Sequence, residues 1–84
     1  MTYQHLRIIR RIDRNTIAVF QCLKNILKDQ YSIQSMDYIY MDSDIEKQLL
    51  LSEKNLLELI SDDDPICRSG GYDSIEDAIK AFID

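Results

Sequence analysis

His5 is the chain's one histidine, and the thiols are Cys22 and Cys67. These are the side chains with the strongest claim to acid–base, nucleophilic or metal chemistry. A lone histidine with no cysteine, serine or acid pattern near it is a poor general base. Neither thiol stands in a CxxC motif or beside an HxxxH motif, so no zinc site is expected. Asp42-Ser43-Asp44-Ile45-Glu46 has the look of a calcium-loop opening. Such a loop needs glycine at its sixth position and glutamate at its twelfth, and the sixth here is Lys47. Gly70-Gly71 lacks the lysine of a phosphate loop, and Asp73, Glu76 and Asp77 would repel a phosphate. The expectation is a protein without cofactor, without metal and without enzymatic activity.

Two groups of residues remain as candidates for binding another protein. One is acidic: Asp62, Asp63, Asp64, Asp73, Glu76 and Asp77. Acids of this kind suit a basic partner surface, because complementary fields speed and orient association. The other combines Arg7, Arg11, Phe20, Tyr38 and Tyr40, residue types enriched at interface hot spots. Against it stands a plainer reading, in which Ile9, Phe20 and Met36 are core and the arginines lie along the rim.

The charge is divided along the chain. The net is −5 over 84 residues. Residues 1–28 carry six bases and one acid, while residues 29–84 carry four bases and fourteen acids. The acidic remainder opposes general nucleic-acid or anionic-membrane binding. A competing expectation keeps single-stranded nucleic acid on an arginine and aromatic sheet face, and a third makes the chain a homodimeric subunit. No apolar run approaches the roughly 20 residues that span a bilayer. Met1–His5 lacks the basic start and apolar run of a signal peptide. Two widely spaced cysteines read as reduced thiols, so a cytoplasmic location is expected.

Elements to position these residues follow from pattern. Leu6–Ile12 and Ile17–Leu23 are short runs rich in β-branched residues, separated by the turn-forming Asp13–Thr16. A loop at 13–16 sets Ile12 opposite Ile17 and Ile9 opposite Phe20, with Arg7, Ile9, Arg11, Phe20 and Cys22 on one face. Lys24–Gln30 reads as a connection, with Ile26 and Leu27 able to dock on the core. Tyr31–Tyr40 reads as a third strand, with Tyr31, Ile33 and Ile39 on one side and Met36, Tyr38 and Tyr40 on the other.

Residues 43–60 form a helix. Ile45, Leu49, Leu56 and Ile60 share one side with Leu59 beside them, and Ser43 with Glu46 makes a capping box. Asp62–Pro65 stops it. A second helix spans 74–83, capped by Asp73 or Ser74, with Ile75, Ala78, Ile79 and Phe82 on one face. The expected fold is one small α+β domain over residues 1–84: a three-stranded antiparallel meander with both helices packed on one face. The alternative makes residues 3–28 helical and the fold all-α.

Overall fold

The computed structural model describes residues 2–62 and 70–84, with Asp62 as backbone only. Its elements are β1 (Tyr3–Arg11), β2 (Thr16–Asn25), β3 (Gln30–Tyr40), α1 (Ile45–Asp62) and α2 (Ile75–Ile83). The strands form one antiparallel sheet in the order β1-β2-β3. The α+β class and the meander are therefore as expected, and residues 3–28 are strands rather than helix.

The first hairpin closes one residue earlier than the turn residues suggest. Its loop is Ile12–Asn15, held by the Asp13 side chain, which accepts the Asn15 N–H at 2.8 Å. The carbonyl of Thr16 accepts the N–H groups of Ile12 and Asp13. The register becomes Leu6↔Cys22, Ile8↔Phe20 and Arg10↔Ala18. A one-residue slip moves every side chain of a strand to the other face. The slip here sets Leu6 and Ile8 beside Cys22 and Phe20, where the expected register would have put Arg7 and Ile9. Burial decides between the two, since arginines facing a core would lose their hydration.

The second hairpin turns on Asn25. Its side-chain oxygen accepts the N–H groups of Leu27 at 3.1 Å and Lys28 at 3.2 Å. Asp29 takes a left-handed φ of 56° and donates its N–H to the Asn25 carbonyl. Ile26 and Leu27 ride the outside of this turn, with Leu27 86% exposed, so neither docks on the core.

β3 carries a bulge. Between the pairs Gln21↔Ser35 and Cys22↔Ile33 the extra residue is Gln34. It shifts the alternation by one, so Tyr31 and Ile33 share a face with Met36 rather than with Ile39.

The two helices take opposite faces of the sheet rather than sharing one. α2 buries Ala78 and Ile79 against Ala18, Phe20, Cys22 and Ile33, with Leu6, Ile8, Tyr31, Met36, Tyr72 and Ile75 around them. α1 lies on the face of Gln21 and Leu23, where Ser52 and Leu56 are buried. Consecutive residues of β2 point to opposite faces. A central strand covered on both sides is buried from Ala18 through Leu23, and this is observed. The reason lies in the supply of apolar groups: β2 is apolar on both faces, so each face needs its own cover.

The helix termini are polar and local. Asp44, not Ser43, caps α1: its side chain accepts the Lys47 N–H at 3.1 Å. Gln48 clips the helix to the end of β3 by accepting the Tyr40 N–H and donating to the Tyr40 carbonyl. Ser74 caps α2, accepting the Asp77 N–H at 3.1 Å. Just before it, Gly70 takes a φ of 76°, a left-handed conformation that glycine adopts without the steric cost of a Cβ. Tyr72 then pairs with Tyr31 through two backbone hydrogen bonds of 2.7 and 2.9 Å. That pairing anchors α2 to the outer side of β3.

Candidate functional site

The α2 face is the wider opening. α2 has nine residues and a length of about 14 Å, while the 11 residues of β3 run about 36 Å. The helix therefore covers only part of its face. Past its end lies an apolar groove of about 300 Å³, lined by Arg10, Ile12, Ala18, Phe20, Met36, Tyr38, Phe82 and Ile83. Tyr38 is 49% exposed and Phe82 42% exposed, with Ile12 and Ile83 also open to solvent. Arg10 lays its guanidinium over the Phe20 ring, 5.6 Å from the centroid. The groove thus has a buried aromatic floor, aromatic and aliphatic walls, and one cation on its rim.

The sequence candidates divide between surfaces. Phe20, Tyr38 and Tyr40 share the α2 face, with Phe20 as floor and Tyr40 exposed at the strand end. Arg7 and Arg11 belong to the other face, because the register differs by one residue from the expected one. Arg7 is held there by Glu53 of α1. Arg10 is the arginine that joins the aromatics; the sequence pattern offers it with Arg7, Arg11 and Arg14 for a nucleic-acid face but not for the protein-binding set. Its signal was the alternation within β1, which becomes readable only once the loop is placed at 12–15.

Asp73, Glu76 and Asp77 are exposed around the start of α2. Glu76, Asp77 and Asp84 line a second hollow that adjoins the groove and shares Arg10 and Ile83 with it. Asp62 ends α1, and Asp63 and Asp64 lie outside the described residues. Cys67 lies outside them as well. Among the described residues no three of His, Cys, Asp and Glu converge on one point.

The α1 face holds a chain of polar groups that sequence reasoning missed. Asp37 Oδ2 accepts from the Ser52 hydroxyl at 2.7 Å. Ser52 Oγ accepts from Gln21 Nε2 at 3.0 Å, and Gln21 Oε1 lies 2.5 Å from His5 Nε2. Elementary hydrogen-bond chemistry directs the chain. A carboxylate only accepts, so Ser52 donates to it, Gln21 donates to Ser52, and His5 Nε2 carries the proton that meets the amide oxygen. Histidine, serine and aspartate are thus present together, yet in an order unsuited to nucleophilic catalysis. An amide stands between His5 and Ser52, and Ser52 is only 2% exposed. The chain ties β1, β2, β3 and α1 together. Its sequence signal was two polar interruptions of apolar stripes, Ser52 between Leu49 and Leu56 and Gln21 between Val19 and Leu23.

Cys22 is fully buried in the α2 core. Burial pushes its thiol pKa up, partly offset by a backbone hydrogen bond from Ser32. An inert structural thiol fits this setting. At the second hairpin, Lys24 Nζ lies 3.0 Å from Asp29 Oδ1, and this hydrogen bond raises the ammonium's pKa.

No family model matches the chain, and no curated protein or solved structure is significantly similar to it. Among the described residues no helix is long and apolar enough to cross a membrane.

Proposed function

We propose that the chain is a non-enzymatic protein-binding module that meets its partner through the open end of the α2 face. The supporting observation is the groove bounded by Tyr38, Phe82, Ile83 and Ile12 over the Phe20 floor. Tyrosine and phenylalanine bring large contact area at low entropic cost, and a concave apolar site flanked by charge is the usual seat of a hot spot. An apolar side chain of the partner fills the groove. Glu76, Asp77 and Asp84 flank it and favour a basic surface around that anchor. The sealed position of Ser52 and the amide between it and His5 favour binding over catalysis.

Nucleic acid fits this surface less well. Stacking on Tyr38 and Tyr40 would need several cations beside them; Arg10 is one, but Arg7 and Arg11 face the other way and Glu76, Asp77 and Asp84 line the adjoining hollow. The test is affinity capture from native lysate with wild type, a Tyr38→Ala/Phe82→Ala double variant and Asp77→Lys, with and without nuclease. A protein held stoichiometrically by wild type, resistant to nuclease and lost from both variants is the expected result. Capture that disappears with nuclease, or that is unchanged in both variants, would refute the proposal. Self-association through the same groove would appear as dimer mass in wild type and monomer mass in the double variant, and would replace the foreign partner by a second copy.

A further inference from the structure

The sheet has two edges, and they are treated differently. Tyr72 occupies part of the outer side of β3 through its two backbone hydrogen bonds to Tyr31. From His5 to Arg11 the outer side of β1 meets no strand among the described residues. The described helices pack on the faces of the sheet, and α1 reaches β1 through the Glu53–Arg7 pair. β1 contains neither proline nor glycine, and its second half carries Ile8-Ile9, with Ile9 61% exposed. Such an edge is a template for another strand.

Its side chains select which strand. Arg7, Arg10 and Arg11 lie on β1 and Arg14 lies in the loop beyond, against the single acid Asp13. Glu53 neutralises Arg7. Two copies paired edge to edge would bring six arginines to one seam with only two Glu53 carboxylates among them. Like charges across strands are destabilising and opposite charges stabilising. The arginines thus discourage a second copy and favour an acidic segment.

We propose that the outer edge of β1 accepts an extended acidic segment of another protein by strand addition. The order Arg7-Ile8-Ile9-Arg10-Arg11 sets its pattern. Arg7, Ile9 and Arg11 project to one face and Ile8 and Arg10 to the other. An antiparallel guest therefore reads acid, acid, apolar, apolar, acid. This site shares Arg10 with the groove but uses neither Tyr38 nor Phe82, so Tyr38→Ala leaves the edge intact.

The probe is a blocked peptide with the core Glu-Glu-Val-Val-Glu flanked by threonines, and its control has lysine for each glutamate. Amide hydrogen exchange of the full chain is read residue by residue, with calorimetric titration alongside. The acidic peptide is expected to slow exchange at outward-facing amides of β1 at least tenfold and to bind more weakly as salt rises. The lysine peptide and an Arg11→Glu variant, which leaves the groove lining untouched, lose binding at least tenfold, and the variant's melting curve reports that it is folded. No slowing at β1 with millimolar acidic peptide overturns the proposal. So does slowing confined to Tyr38 and Phe82, or equal binding by the lysine peptide. Concentration-dependent protection of β1 without peptide would assign the edge to a second copy instead.

Discussion

The hydroxyl of Ser52 donates to Asp37 at 2.7 Å, and this bond orients every polar group behind it. With Asp37 as terminal acceptor, the amide of Gln21 has one permitted orientation and His5 one permitted proton position. The chain docks α1 on the sheet at a defined height and rotation, where apolar packing alone would tolerate sliding.

Ser52→Ala removes an acceptor from Gln21 and a donor from Asp37 in a buried setting. The expected cost is about 1–3 kcal/mol, the usual penalty for stranding buried polar groups. Urea unfolding of the variant gives the value, and Gln21→Leu combined with Ser52→Ala gives the coupling between the two. A loss below about 0.5 kcal/mol would mean that the chain does not hold the helix.

Phe20 and Tyr38 lie on one face but differ in burial. Phe20→Ala is expected to cost about 3–5 kcal/mol, a large share of a small domain's stability. Tyr38→Ala, at a half-exposed wall of the groove, should stay within about 1 kcal/mol. Thermal melts followed by circular dichroism compare them. Equal losses would make Tyr38 a core residue and remove the groove as a binding surface.

Cys22 gives the stability curve an alkaline shoulder. Burial raises its folded-state pKa above the unfolded value of 9.0. The unfolded thiol therefore ionises first, and above that pH its ionisation stabilises the unfolded state relative to the folded one. The stabilising contribution is fully present below pH 9.0 and is lost as pH rises through the folded pKa. In a Cys67→Ser background, the difference in stability between Cys22 and Cys22→Ala should shrink from pH 8 to pH 11. The same background should label with a thiol reagent far more slowly folded than in guanidinium. Equal labelling rates would contradict the burial of the thiol.

Ser74 caps a helix too short to spare a hydrogen bond. Ser74→Ala should lower stability by about 1 kcal/mol, and Ser74→Asp should restore most of it. Denaturant midpoints decide the matter. A neutral Ser74→Ala would place the start of α2 elsewhere.

Much of this architecture is legible in residue pattern, because strong local signals coincide with tertiary need. The stripe of Ile45, Leu49, Leu56 and Ile60 faces the sheet, and Ser74 caps α2 as its position before Ile75 suggests. The register was harder to read. Ile12 looks like a strand residue, yet it enters the loop because Leu6 and Ile8 gain more by facing Cys22 and Phe20. The bulge at Gln34 has no glycine to announce it. That missing sign hid the shared face of Ile33 and Met36, and with it the need for a helix on each side. The same slip divides the candidate residues: Phe20, Tyr38 and Tyr40 share one face with Arg10, while Arg7 and Arg11 lie on the other. The acids at 63 and 64 lie outside the described residues.

The meander also sets an order of assembly. Each hairpin joins strands adjacent in sequence, so closing either loop sacrifices little chain entropy. Tyr72 must instead find Tyr31 across the whole of α1, a far longer closure. The sheet and α1 are thus expected to gather first, with Phe20 and Cys22 still bare on one side. The return of Tyr72 carries α2 onto them, and the last native contacts to form are those that leave the groove at their margin.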